Sequence, residues 1–136
     1  MRTVRTLIVD DNTRFLDAAA RLLATYDQIE IVGAVPSARE ALAKLPELHP
    51  ALVLMDLVMP DMNGLEATAE IKRRPFPPYV VIVTLEDTPE HRLRAKDVGA
   101  DGVVGKVGLA TDLLPLLRTM FPGDMPDPST RGVEPA

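Results

Sequence analysis

VLMDLVMPDMNG, residues 53–64, is apolar from Val53 to Met55, stops on one carboxylate, Asp56, and then turns through Met59-Pro60-Asp61-Met62-Asn63-Gly64. A buried strand gains nothing from a charge at its tip, because a carboxylate taken out of water is costly unless paired. Asp56 is therefore either a turn residue, as Asp often is, or part of a site. Residues 51–56 read as a strand, and what flanks them decides which kind of sheet it belongs to.

Upstream and downstream, strand and helix signals alternate. Val4–Val9 is an apolar strand. Phe15, Ala19, Leu22, Leu23 and Tyr26 recur at helical spacing and mark one face of a first helix. Ile29–Val35 is β-branched and apolar, a second strand. Ser37-x-x-Glu40 is a capping box, opening a helix with Ala41, Leu42 and Leu45 inward. After the strand ending at Asp56, Leu65–Arg74 reads as a helix stopped by Pro75, Pro77 and Pro78. Tyr79–Thr84 is a fourth strand, and Thr88-Pro89-Glu90 opens a fourth helix that ends near Gly99. Asp101–Gly105 is a short fifth strand. A last helix is expected from Thr111 or Asp112, with Pro115 in its first turn.

Alternation of this kind, with nearly continuous apolar strands, predicts an α/β fold: a doubly wound five-stranded parallel sheet, order 2-1-3-4-5, with helices on both faces. Ligands of such sheets bind beyond the carboxyl ends of the strands, where strands 1 and 3 part company.

The chain has 136 residues, 46% hydrophobic and 26% charged, which suits one globular domain. It divides into a domain over 1–121 and a Pro-rich tail over 122–136, PGDMPDPSTRGVEPA, expected to be disordered or the stub of a linker. No apolar stretch approaches the about 18–20 residues that span a bilayer, and no export signal is legible, so a cytoplasmic location is expected. The absence of cysteine excludes thiolate metal sites and disulfides. A net charge of −5 argues against direct nucleic-acid binding. Lys72-Arg73-Arg74 is the only basic run, and it falls at a helix end, where cations complement the macrodipole. His49 and His91 read as solvated surface residues, and Arg92 and Lys96 as a solvated helix face.

The strand tips carry the chemistry. Strand 1 ends in Asp10-Asp11, strand 3 in Asp56, strand 4 in Thr84, and strand 5 runs into Lys106. Singly, each has a plain structural use as a cap, a strand residue or a loop lysine. Together, the fold gathers them at one edge of the sheet. Three neighbouring carboxylates repel unless a cation sits among them. Oxygen ligands without His or Cys favour Mg²⁺, which keeps water positions open to a phosphoryl oxygen. A carboxylate can itself be the nucleophile, giving an aspartyl-phosphate. A lysine supplies a point charge and a threonine hydroxyl a donor for the transferring group.

LIVDDN, VLMDLVMPDMNGLEA, VIVT and GADGVVGK resemble the receiver domain of bacterial two-component response regulators, over about residues 4–121. The wording around IEIVGAVPSAREALAKL is most similar to receivers that precede a helix-turn-helix output. The resemblance implies that Asp56 accepts phosphoryl from a sensor histidine kinase or a phosphotransfer protein. It implies that Asp11, Asp56 and the backbone carbonyl of Val58 bind Mg²⁺, with Asp10 acting through water. Thr84 and Lys106 would contact the phosphoryl group, and Met59-Pro60 and Gly64 would shape the loop. It further implies self-phosphorylation from small donors, slow self-hydrolysis, and an output protein or second copy meeting the face of helix 4, strand 5 and helix 5.

Three positions depart from that pattern. Val103 stands where such domains usually carry an aromatic ring that turns inward on activation, so a muted conformational response is expected. Leu85 replaces a small residue after Thr84, and Val107 replaces a frequent proline. None of these removes a reacting group. Among alternatives, a receiver-like module acting by protein contact alone leaves the acidic set unexplained. An Asp-nucleophile phosphatase needs a second acid where Val58 stands. A flavin carrier needs a Gly/Ser/Thr phosphate loop where Asp10-Asp11 would repel phosphate.

Overall fold

The structure, a computed structural model, describes residues 3–125. Strands β1 (Val4–Val9), β2 (Ile29–Val35), β3 (Leu52–Asp56), β4 (Tyr79–Thr84) and β5 (Gly102–Gly105) form one parallel sheet in the order β2-β1-β3-β4-β5. The expected order 2-1-3-4-5 is the one observed. Helices α1 (Thr13–Ala24), α2 (Ala38–Leu48), α3 (Gly64–Lys72), α4 (Pro89–Asp97) and α5 (Leu109–Met120) connect and flank the strands.

Alternation along the central strands builds two cores. Leu52 and Leu54 of β3, with Val81 and Val83 of β4, face Leu16, Ala19 and Leu23 of α1 and Leu113 and Leu117 of α5. Val53 and Met55, with Val80 and Ile82, face Ala41 and Leu45 of α2 and Ala67 and Ile71 of α3. Because both faces are covered, both parities of the strand must be apolar, which is why the runs look continuous in sequence. Each of these Leu, Val, Ile and Met side chains contributes roughly 1.5–3 kcal/mol on burial.

Local signals set the helix starts. The side chains of Asn12, Ser37, Asn63 and Thr88 accept hydrogen bonds from the backbone N–H groups of Phe15, Glu40, Glu66 and His91. Prolines inside helices are met individually. Pro46 leaves the Leu42 carbonyl without its helical donor, and Arg74 Nη1 takes that carbonyl at 3.3 Å.

Some boundaries move. Helix α5 begins at Leu109, not at Thr111 or Asp112, after a 3₁₀ turn over Lys106–Gly108. Pro115 consequently lies inside the helix and not in its first turn. It stands on the exposed face, where water can satisfy the freed Thr111 carbonyl. On α1, Leu16 and not Phe15 occupies the core stripe; Phe15 is half-buried. Asp101 precedes β5. Its carboxylate accepts from Val80 N at 2.8 Å and pairs with Lys72 Nζ at 2.9 Å. Lys72 is thus a tie between α3 and the sheet as well as a helix-end cation. After α5, Phe121 meets Tyr79 edge-on at 5.1 Å and Met125 packs against the α1/α5 core. The remainder of the Pro-rich tail, residues 126–136, lies outside the described residues.

Candidate functional site

All strands run the same way, so their carboxyl ends share one edge, and Asp10, Asp56, Thr84 and Lys106 follow or close four of them. Pairing of Val9 with Met55 aligns β1 and β3, so the tips that carry Asp10 and Asp56 are neighbours. Pairing of Thr84 with Gly105 sets Lys106 one residue beyond the tip of β4. The five side chains expected to meet are brought to one edge, and Asp11, Asp56, Thr84 and Lys106 line a single cavity of about 400 Å³.

Asp10 is 1% exposed and Asp56 6%, whereas Asp11 is open to solvent. One oxygen from each of Asp10, Asp11 and Asp56 lies within 4.8 Å of the others. Lys106 Nζ sits 2.6 Å from Asp10 Oδ2 and 3.5 Å from Asp56 Oδ1. The lysine therefore leans on Asp10 more than on Asp56. Asp10 Oδ1 accepts from Asn12 N at 2.8 Å, which orients the carboxylate. Burial, then the neighbouring Asp10 charge, pushes the Asp56 carboxyl up to about 6, against the pull of Lys106. The residues present suit a hard divalent cation. The donors are three carboxylates without His or Cys, and buried Asp10 Oδ2 has the Lys106 ion pair but no hydrogen bond of regular geometry.

The loop after Asp56 is pinned from both sides. Leu57 and Met59 are buried in the α2/α3 core while Val58 between them is exposed. Asp61 accepts from Arg39 N at 3.1 Å at the start of α2, and that bond holds its carboxyl below the usual range. Gly64 N donates to the Leu57 carbonyl at 2.9 Å. A Cβ on Gly64 would overlap the Asp56 carbonyl oxygen and stand 3.1 Å from the Leu57 Cα. Those are backbone atoms and cannot swing aside. Gly64→Ala is therefore expected to lower stability by about 2 kcal/mol, read as a lower urea midpoint; an unchanged midpoint would show that the loop relaxes freely.

On the β4 side, Thr84 Oγ1 accepts from Glu86 N at 3.2 Å. His91 is not the free surface residue the sequence implied. It is half-buried, lines the cavity, and its Nδ1 lies 2.6 Å from the Glu86 carbonyl. His49 does stand exposed, as the left-handed cap of α2. Arg92 clamps Asp87 with two contacts of 2.6 Å, so it is tied to the loop and is not merely a solvated charge. Leu85 and Val107 are both exposed, Val107 at 93%. Val103 is half-buried against the core that contains Ile82 and Ala95. The sequence reading also missed the Phe15 ring, whose centroid is 4.6 Å from Lys106 Nζ.

Fold and site together define a doubly wound α/β domain with an acidic, lysine-bearing cleft where β1 and β3 diverge. A family model described as the response regulator receiver domain matches residues 6–118, and the chain belongs to that family. It is 37% identical over 122 residues to the response regulator protein VraR of Staphylococcus aureus, covering 90% of this chain and 58% of VraR. The chain thus spans little more than half the length of that relative. A LuxR-family two-component response regulator from an Aurantimonas species superposes with a TM-score of 0.82 at 27% identity, covering 96% of this chain and 94% of that one. A CheY-like receiver domain protein from Methanospirillum hungatei superposes with a TM-score of 0.75 at 30% identity, covering 90% and 96%. Among the described residues, no helix is long and apolar enough to cross a membrane.

Proposed function

We propose that Asp56 accepts a phosphoryl group from the phosphohistidine of a sensor histidine kinase or phosphotransfer protein in the cytoplasm, in a Mg²⁺-dependent reaction. The observation that carries this reading is the Asp56 carboxylate itself, set in an open cavity with Lys106 Nζ 3.5 Å away and Thr84 and Asp11 on the same walls. A carboxylate oxygen of Asp56 attacks phosphorus. The new P–O bond forms as the P–N bond to the donor imidazole breaks, its electron pair staying on that nitrogen. Lys106 faces the position where phosphoryl oxygens gather charge, and the Thr84 hydroxyl, which donates to the Glu86 carbonyl at 3.5 Å, can donate to one of them instead.

Asp11, Asp56 and the Val58 carbonyl would hold Mg²⁺, with Asp10 reaching it through water. When bound, the ion supplies positive charge that offsets carboxylate repulsion and draws charge from the transferring group. Asp10 and Lys106 are already paired, so the lysine need not be recruited from solvent. The signal would leave through the face of α4, β5 and α5 toward an output domain or a second copy. Exposed Leu93 on α4 supports that route. Val103, lacking a ring, would make the accompanying conformational change small.

The test is labelling of the full chain by acetyl phosphate, read by intact mass, with the modified residue located by peptide mapping. One phosphoryl group on Asp56 in Mg²⁺, and none in EDTA, is expected. Label on another residue, or equal label in EDTA, would overturn the reading.

A further inference from the structure

We propose that Phe15 is a positioning residue for Lys106, its ring face holding the ammonium between the Asp10 and Asp56 carboxylates. The inference rests on the acceptor reading above and adds a residue to it.

The contacts close a circuit. Lys106 Nζ lies 2.6 Å from Asp10 Oδ2 and 4.6 Å from the Phe15 ring centroid. Asp10 Oδ1 accepts from Asn12 N at 2.8 Å, and Asn12 Oδ1 accepts from Phe15 N at 3.1 Å. The first turn of α1 thereby fixes the ring relative to the carboxylate that the same lysine touches. Phe15 also leans on the α1/α5 core, which limits its freedom to turn away. It stands off the buried stripe of α1, which Leu16, Ala19 and Leu23 occupy.

A lysine stem is flexible and its ammonium is a compact point charge. In this site its carboxylate partners are the groups that a bound cation would neutralise, and their hold on Lys106 would weaken as the site loads, before the phosphoryl group arrives. A ring quadrupole carries no titratable charge and competes for no cation, so its attraction persists through the reaction. The lysine side chain is only 9% exposed, and a cation over a ring is held more firmly when desolvated.

The experiment uses the full chain. In Mg²⁺ and acetyl phosphate, Phe15→Leu is expected to slow labelling of Asp56 by about 3- to 30-fold, and Phe15→Tyr, which keeps the ring, to restore the rate. In a Lys106→Met background the Phe15→Leu change should have no further effect. An equal slowing in both backgrounds would mean that the ring acts only structurally, and would overturn the proposal. A second readout needs neither metal nor phosphoryl. In EDTA, the Lys106 ε-methylene protons should resonate upfield through the ring current, with the shift lost in Phe15→Leu and kept in Phe15→Tyr. No upfield shift in the wild type would also overturn the proposal. A wild type that takes no label on Asp56 overturns the acceptor reading alone, and the proton shifts then still decide whether the ring holds the lysine.

Discussion

Lys106→Met is expected to slow phosphoryl uptake from acetyl phosphate by about 10²–10³-fold, the usual cost of removing one preorganised charge-stabilising group. Methionine keeps most of the stem's bulk, so the packing beside Phe15 survives while the charge goes. The loss is large because of where the ammonium sits. It is nearly buried, 3.5 Å from the Asp56 carboxylate and 2.6 Å from that of Asp10. Phosphoryl transfer leaves little covalent work to the protein and depends on positioning and charge. A cation already fixed beside the reacting groups acts on that charge without reorganising. Among the described residues, Lys106 is also the only lysine or arginine that lines the cavity, so none of them can replace it. The rate would be followed by intact mass, with Asp56→Asn as the blank and far-UV circular dichroism to verify folding. Uptake equal to wild type would remove Lys106 from the chemistry. No uptake in either protein would favour a receiver-like module that works by contact alone.

Why so much was legible, and what was not, can be traced to particular residues. The strands Val4–Val9, Ile29–Val35 and Tyr79–Thr84 were read to the residue, because β-branched runs bounded by turn residues admit little else. The strand order followed from right-handed crossovers and short connections. The site followed from the order, since one sheet edge must collect the tips that carry Asp10, Asp56, Thr84 and Lys106. The start of α5 was missed because Gly108 caps it without a side-chain hydrogen bond, so no Ser, Thr or Asp marks the place, whereas Thr111 and Asp112 look like caps. The face of α1 was misjudged because Phe15 and Leu16 both fit a helical period with Ala19 and Leu23. Phe15 has its partner in Lys106, far along the chain, and no local pattern contains that contact. His91 was misread for the same reason: its partner is a backbone carbonyl, that of Glu86, and backbone atoms leave no signature in sequence.

The metal-free protein is expected to lose stability as pH rises from about 4 to about 6 on account of Asp56, and Asp56→Asn to recover it. In the folded chain the carboxyl is pushed from an ordinary 3.8 to about 6, first by burial and then by the Asp10 charge. In the unfolded chain it titrates at its ordinary value. Between the two values the folded state holds a proton that the unfolded state releases, so raising the pH favours unfolding. Stability from this group is complete below the unfolded value and is lost as pH climbs through the folded one. The rise from 3.8 to about 6 corresponds to about 3 kcal/mol lost at neutral pH. Asparagine removes the charge and keeps the shape. Urea unfolding in EDTA should therefore find Asp56→Asn more stable than wild type by about 2–3 kcal/mol at pH 7.5 and equal to it near pH 4. Adding Mg²⁺ should stabilise the wild type by mass action and act much less on the variant, which lacks one of the charges the ion would neutralise. The same repulsion would thus set both the instability of the empty site and its appetite for a cation. Parallel pH profiles for the two proteins in EDTA would show that Lys106 already neutralises the cluster, and that a cation has no strain there to relieve.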